Sequence, residues 1–156
     1  MNNSYVPNNF DEISFEYNKR DLDIVKGLTI IAVDDDKDIL VLITEIFEPY
    51  GIKVLTALSA ISAFEIIKNF PVDLLISDIA MTEEDGYWLI QKVRSLASQQ
   101  KREIPAVAFT GNTEYKARNK AFVSGFKTYI QKPSDVEQLV TEVAKLLKCS
   151  AKSISL

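Results

Sequence analysis

Five short apolar runs, each followed by a stretch of helical periodicity, confine this chain to one architectural class. The runs cover residues 28–33, 52–57, 72–77, 104–110 and 127–131. They are rich in Val, Ile or Phe, which suits strands buried on both faces. After the first, Ile39, Leu40, Ile43, Ile46 and Phe47 recur at helical spacing and stop before Pro49-Tyr50-Gly51. After the second, Ser59 reads as an N-cap ahead of an apolar stripe of Ala60, Ala63, Phe64 and Ile67. After the third, Leu89, Ile90, Val93 and Leu96 repeat the pattern. After the fourth, Asn112 stands as the cap of a weaker helix holding Ala117, Ala121 and Phe122. After the fifth, Ser134 and Glu137 form a capping box. It opens a helix with Val136, Leu139, Val140, Val143 and Leu147 on one face.

Strand and helix alternating five times through short loops predict an α/β fold, a parallel sheet covered on both faces. Right-handed crossovers restrict the arrangements. The natural choice for five units is the flavodoxin-like (βα)5 doubly wound sheet with strand order 2-1-3-4-5. Ligands of such sheets bind at the carboxyl ends of the strands, near the switch point between strands 1 and 3.

The 156 residues suit one domain. Residues 1–26 are rich in Asn, Asp and Glu, with scattered Tyr5, Phe10, Phe15 and Tyr17. They read as an extension or linker, partly helical over 11–26. The domain proper spans 27–148, and 149–156 form a short tail. The net charge of -4 argues against a broad nucleic-acid surface. The chain has no histidine, which excludes Ser-His-Asp and Cys-His catalysis and histidine metal sites. Its lone Cys149 excludes an internal disulfide and a Cys-rich zinc site. Neither a leader nor an apolar membrane span is evident, so a cytoplasmic protein is expected.

The polar residues at the strand ends carry the chemistry. Strand 1 ends in Asp34-Asp35-Asp36, strand 3 in Ser77-Asp78 and strand 4 in Thr110, while Lys132-Pro133 follows strand 5. A doubly wound sheet gathers all four groups into one pocket. Clustered carboxylates either raise a pKa or hold a cation. An all-oxygen set implies a hard ion, Mg2+ or Mn2+. Taken singly, each group has an ordinary explanation: acidic residues cap helices, Thr favours strands and Lys-Pro is a loop. The joint placement at the right ends gives the reading its weight. Elsewhere the ordinary reading prevails. Tyr87 and Trp88 read as helix surface or partial core, and Glu83-Glu84-Asp85 as a solvated loop and helix start. Gly86 and Gly125 read as turn or close-packing glycines, and Cys149 as an inert tail residue.

Residues 28–148 resemble a response-regulator receiver domain of two-component signalling. The resemblance rests on Ile30-Ile31-Ala32-Val33-Asp34-Asp35-Asp36, Leu74-Leu75-Ile76-Ser77-Asp78-Ile79-Ala80-Met81, Asp85-Gly86, Ala108-Phe109-Thr110-Gly111 and Tyr129-Ile130-Gln131-Lys132-Pro133. It implies that Asp78 accepts the phosphoryl group. Asp35 would ligate Mg2+ directly, with Asp34 acting through water and the Ala80 carbonyl as a further ligand. Thr110 and Lys132 would contact the phosphoryl group, and Tyr129 would be the aromatic switch residue. It also implies a cis Lys132–Pro133 peptide.

The implied partners are a histidine kinase or histidine phosphotransfer domain and a downstream protein target. Nucleic acid and membrane are not among them. The protein would be a monomer or a weak homodimer through the helix 4–strand 5–helix 5 face. Thr82 stands where the family usually has proline, Gly111 where it usually has alanine, and Ala80 at a position that tunes phosphoryl lifetime. The residues after 148 are too few for an output domain, so output by protein contact is expected. A phosphorelay intermediate and a receiver of a hybrid kinase are variants of this reading. A docking module without phosphorylation is disfavoured by the complete set Asp34, Asp35, Asp78, Thr110 and Lys132. An aspartyl phosphatase usually shows an Asp-x-Asp pair at strand 1 and a cap insertion, whereas here the nucleophile candidate Asp78 sits on strand 3 and no insertion is long enough for a cap. A flavin binder is opposed by Asp34–Asp36, which would repel a phosphate after strand 1.

Overall fold

The computed structural model describes residues 26–112, 114–132 and 136–155, with side chains in the last helix as far as Cys149. The strands are β1 Thr29–Val33, β2 Lys53–Ala57, β3 Leu74–Ser77, β4 Ala106–Thr110 and β5 Thr128–Gln131. The helices are α1 Lys37–Phe47, α2 Ala60–Asn69, α3 Gly86–Arg94, α4 Tyr115–Ser124 and α5 Val136–Ser155. A 3-10 turn at Glu48–Tyr50 and a one-turn helix at Gln99–Arg102 complete the described elements. All strands pair in parallel in the order β2-β1-β3-β4-β5. This is the expected flavodoxin-like sheet.

The elements follow from local chemistry. Strands β1, β3 and β4 are almost wholly buried, as their unbroken apolar runs demand. Strand β4 begins at Ala106, two residues after the apolar run starts. Pro105 has no N–H for the ladder, although its carbonyl accepts from the Leu75 N–H at 3.0 Å. Alternation then divides the core in two. Ile30, Ala32, Leu74, Ile76, Val107, Phe109 and Ile130 face α1 and α5. Ile31, Val33, Leu75, Ala106, Ala108 and Tyr129 face α2, α3 and α4.

Ser59 caps α2 as expected, its Oγ accepting from the Ser62 N–H at 3.1 Å. Ser59→Ala is expected to cost about 1 kcal/mol in urea unfolding, the usual worth of an N-cap. Asn112 does not cap α4. Its Oδ1 accepts from the Glu114 N–H at 2.9 Å, which closes a turn before the helix, and Glu114 occupies the N-cap without a side-chain bond. Asn favours such a two-residue side-chain turn as readily as a cap. Helix α5 continues through Ser155 because neither Gly nor Pro interrupts it after Leu147. The helix expected over 11–26, apart from Lys26 in a turn, the Ser134 half of the capping box and the Pro133 peptide bond lie outside the described residues. Among the described residues no helix is long and apolar enough to cross a membrane.

Helix α4 is anchored unlike its neighbours. Helix α1 buries Leu40, Ile43 and Phe47, whereas α4 buries only Ala121. Fully burying a large apolar side chain contributes about 1.5–3 kcal/mol. Hydrophobic packing therefore holds α4 far less firmly than α1.

Candidate functional site

Backbone ladders that run one step past the strands assemble the site. The Asp78 N–H donates to the Val33 carbonyl at 2.9 Å, which sets Asp78 beside Asp34 at the β1–β3 junction. The Lys132 N–H donates to the Thr110 carbonyl at 3.0 Å, which does the same at the β4–β5 end. Asp34, Asp78 and Thr110 are buried, at 1, 5 and 1% exposure, while Asp35 is open to solvent.

Lys132 ties the cluster together. Its Nζ donates to Asp34 Oδ2 at 2.7 Å and to Asp78 Oδ2 at 3.1 Å. The other oxygens are held by main chain. Asp34 Oδ1 accepts from the Asp36 N–H at 2.9 Å, and Asp78 Oδ1 from the Ile79 N–H at 2.7 Å. Carboxylate oxygens of Asp34, Asp35 and Asp78 all lie within 4.8 Å of one another. Oxygens on opposite sides of one Mg2+ are separated by about 4.2 Å, twice its usual bond length. Three carboxylates face a single ammonium, so the pocket keeps an excess of negative charge that a divalent cation offsets. Donor type, spacing and charge all fit a hard cation. Ala80 is exposed, two residues past Asp78 on the loop leading to α3.

The electrostatics reflect burial with partial pairing. Burial raises the Asp34 pKa, aided by the charge of Asp78, and the bonds from Lys132 and the Asp36 N–H only partly offset it. For Lys132 burial acts downward, but the hydrogen bond to Asp34 and the charges of Asp78 and Asp34 outweigh it, and its pKa rises. The ammonium therefore stays charged at neutral pH.

The three-aspartate run divides. Asp34 and Asp35 join the cluster, whereas Asp36 is the N-cap of α1 and accepts from the Asp38 N–H at 2.9 Å. Tyr129 lies outside the cluster on the α2–α4 side of the sheet. It connects to Thr110 through one loop residue. Asn112 donates its N–H to Thr110 Oγ1 at 3.4 Å, and its carbonyl accepts from the Tyr129 hydroxyl.

Two further contributors act through a backbone group and through steric exclusion, so residue type alone does not name their partners in the site. The Thr82 N–H donates to Asp35 Oδ2 at 3.3 Å, a bond that proline there would forbid. Gly86 packs on the Asp78 backbone. An added Cβ would land on the Asp78 carbonyl oxygen and 2.8 Å from the Ile79 Cα.

Comparison with known proteins agrees with this geometry. A family model described as the response regulator receiver domain matches residues 30–144. The chain is 36% identical over 113 residues to an uncharacterised 14.6 kDa protein of the sodA1 3' region of Leptolyngbya boryana, covering 72% of this chain and 85% of that protein. It is 30% identical over 118 residues to the response regulator SaeR of Staphylococcus aureus, covering 76% of this chain. The chain spans about half of SaeR, 50% of its length. A response regulator receiver domain protein (CheY-like) from Methanospirillum hungatei superposes with a TM-score of 0.73 at 25% identity, covering 81% of this chain and 98% of that one. With the sheet order, the acidic cluster and a family match over most of its length, the chain belongs to the response-regulator receiver domains of two-component systems.

Proposed function

We propose that Asp78 accepts a phosphoryl group from a histidine kinase or a histidine phosphotransfer domain, in a Mg2+-dependent reaction, and that the domain then signals through protein contacts. The observation that carries this reading is the Lys132 ammonium bridging the buried carboxylates of Asp34 and Asp78, with Asp35 alongside. Asp34, Asp35, Asp78 and the Ala80 carbonyl would hold the cation, and Mn2+ is a competent substitute. When bound, the ion supplies positive charge that offsets repulsion between the attacking carboxylate and the phosphoryl oxygens.

The chain's own groups do the rest. The Ile79 N–H holds Asp78 Oδ1, so Oδ2 is the oxygen turned toward the pocket and the better-placed nucleophile. A P–O bond forms on Asp78 as the donor's P–N bond breaks, and the donor imidazole leaves. Lys132 then moves from carboxylate to phosphoryl oxygen, and Thr110 donates its hydroxyl to another. Engagement of Thr110 disturbs its bond from Asn112, which the Tyr129 hydroxyl grips from the other side. Signalling would be a shift between two arrangements of this loop, read at the α4–β5–α5 face by a downstream protein or a second copy in a weak homodimer. The domain is thus a signalling module whose only chemistry is on itself. Residues 27–148 would form this cytoplasmic receiver unit, with 1–26 as an extension and α5 carrying on past the unit to Ser155.

Intact-mass spectrometry after incubation with acetyl phosphate, with and without Mg2+, tests the reading. The expected result is a Mg2+-dependent gain of one phosphoryl group that is absent in Asp78→Asn. A gain that persists in Asp78→Asn would reject Asp78 as acceptor. No gain from acetyl phosphate or from a phosphorylated histidine kinase would reject the switch itself.

A further inference from the structure

Helix α4 is held by two tyrosine hydroxyls. One belongs to Tyr129, which reaches the loop before the helix. The other belongs to Tyr87 on α3, whose hydroxyl donates to the Ala117 carbonyl within the first turn of α4 at 3.1 Å. Lys120 of α4 sets its ammonium 4.3 Å from the centre of the Tyr87 ring, so α4 grips this side chain at two points. Burial pushes both phenols above their ordinary pKa, for Tyr87 with help from the charge of Asp85. Both remain protonated donors at neutral pH.

These contacts weigh heavily at the start of the helix: Arg94 of α3 ties only its far end, donating to the Gly125 carbonyl at 2.7 and 3.3 Å, and apolar packing adds little to the hold on α4. It buries only Ala121, and Tyr115, Phe122 and Val123 are 76, 39 and 88% exposed. Tyr87 is also tied to the site. It follows Gly86, which lies against the Asp78 carbonyl and donates its N–H to the Ile79 carbonyl at 2.8 Å. A displacement of the Asp78 backbone would be felt at Gly86 and passed by the Tyr87 ring to α4. This route does not pass through Thr110 or Asn112.

We propose that Tyr87 is a second positioning residue of the switch, a tether from the Asp78 loop to α4 that acts in parallel with Thr110 and Tyr129. This rests on the phosphoacceptor reading above. The hydroxyl favours the docked arrangement of α4 described here, in which Tyr129 is turned inward. Its removal lowers the population of that arrangement and, by linkage, weakens any ligand of the phosphoryl site that selects it.

The experiment compares wild type with Tyr87→Phe, which keeps the ring, its packing and the contact with Lys120. Amide hydrogen exchange is read in peptides spanning 115–124. Affinity for beryllofluoride, an inorganic phosphoryl mimic, is measured in saturating Mg2+, and affinity for Mg2+ alone is measured separately. The expected result is exchange about five- to tenfold faster in α4 and beryllofluoride affinity weaker by a similar factor, as loss of one hydrogen bond allows. Exchange in α1 and affinity for Mg2+ alone should stay unchanged. A merely structural tyrosine would quicken exchange in every helix together, and that result overturns the proposal. Unchanged exchange in α4, or faster exchange there with unaltered beryllofluoride affinity, also overturns it. Absence of Mg2+-dependent beryllofluoride binding in wild type rejects the phosphoacceptor reading, and this proposal with it. Normal wild-type binding with an unaltered Tyr87→Phe rejects the tether alone.

Discussion

Replacing Lys132 with methionine is expected to lower unfolding free energy by about 3 kcal/mol at neutral pH without divalent ions, as for one partner removed from a buried ion pair. It should also abolish phosphoryl uptake. The side chains of Lys132, Asp34 and Asp78 are 17, 2 and 6% exposed, so water compensates little for the lost ammonium. Methionine fills comparable space and leaves two buried carboxylates facing each other.

The pH dependence has a definite sign. The Asp34 pKa already lies above its ordinary 3.8, so its ionisation disfavours the folded state. That group's contribution to stability is present below 3.8 and is lost as pH rises through the folded value. Without Lys132 the folded value climbs further. The deficit of Lys132→Met should therefore be largest at neutral pH and shrink toward about pH 4, where carboxylates regain their protons. Wild type has a second limb. The pKa of Lys132 is raised above 10.5, so its contribution is present below 10.5 and disappears as pH rises through the folded value. Urea unfolding across pH, with and without Mg2+, reads all of this. Mg2+ should stabilise Lys132→Met more than wild type, because the cation replaces the missing charge. A deficit independent of both pH and Mg2+ would mean that Lys132 matters through packing alone.

Gly86→Ala should destabilise by about 2–3 kcal/mol, the usual cost of overpacking a closed site. Helix propensity alone points the other way, since Ala exceeds Gly by about 1 kcal/mol within a helix. The reversal comes from contact with backbone. The added methyl would meet the Asp78 carbonyl oxygen and the Ile79 Cα, and neither can rotate aside. Relief requires α3 to lift or the Asp78 loop to shift, so Mg2+ affinity should fall together with stability. Gly111→Ala is the matched control. A Cβ there has nothing within 4 Å, and alanine should be neutral or slightly stabilising. Urea titration with calorimetric Mg2+ binding distinguishes the two. A stabilised Gly86→Ala would show that α3 is free to move away from Asp78.

Local chemistry made much of the fold legible. The β1 run from Ile30 to Val33 has no polar interruption, so it had to be covered on both sides. Ser59 announces the start of α2 because a hydroxyl before an apolar stripe serves the helix's unpaired N–H groups. Asn112 shows the limit of that signal, since its side chain closes a turn and leaves the cap of α4 to Glu114. Asp34, Asp35 and Asp36 are chemically identical in the sequence. Which of them meets Asp78 and which caps α1 depends on how the chain turns out of β1. Glu83 adopts a left-handed backbone at φ 65°, a conformation that nothing in its residue type requires.

By itself the sequence determined the alternation of strands and helices, the doubly wound sheet and the gathering of acidic and basic residues at its carboxyl edge. Periodicity and strand ends are properties of neighbours along the chain. Only the tertiary structure decided that Lys132 bridges Asp34 and Asp78, 98 and 54 residues away. It also decided that the Thr82 N–H meets Asp35 across 47 residues and that Tyr87 meets Ala117 across 30. Such contacts depend on angstrom-scale placement of packed elements, and many of their partners are peptide groups that every residue carries alike.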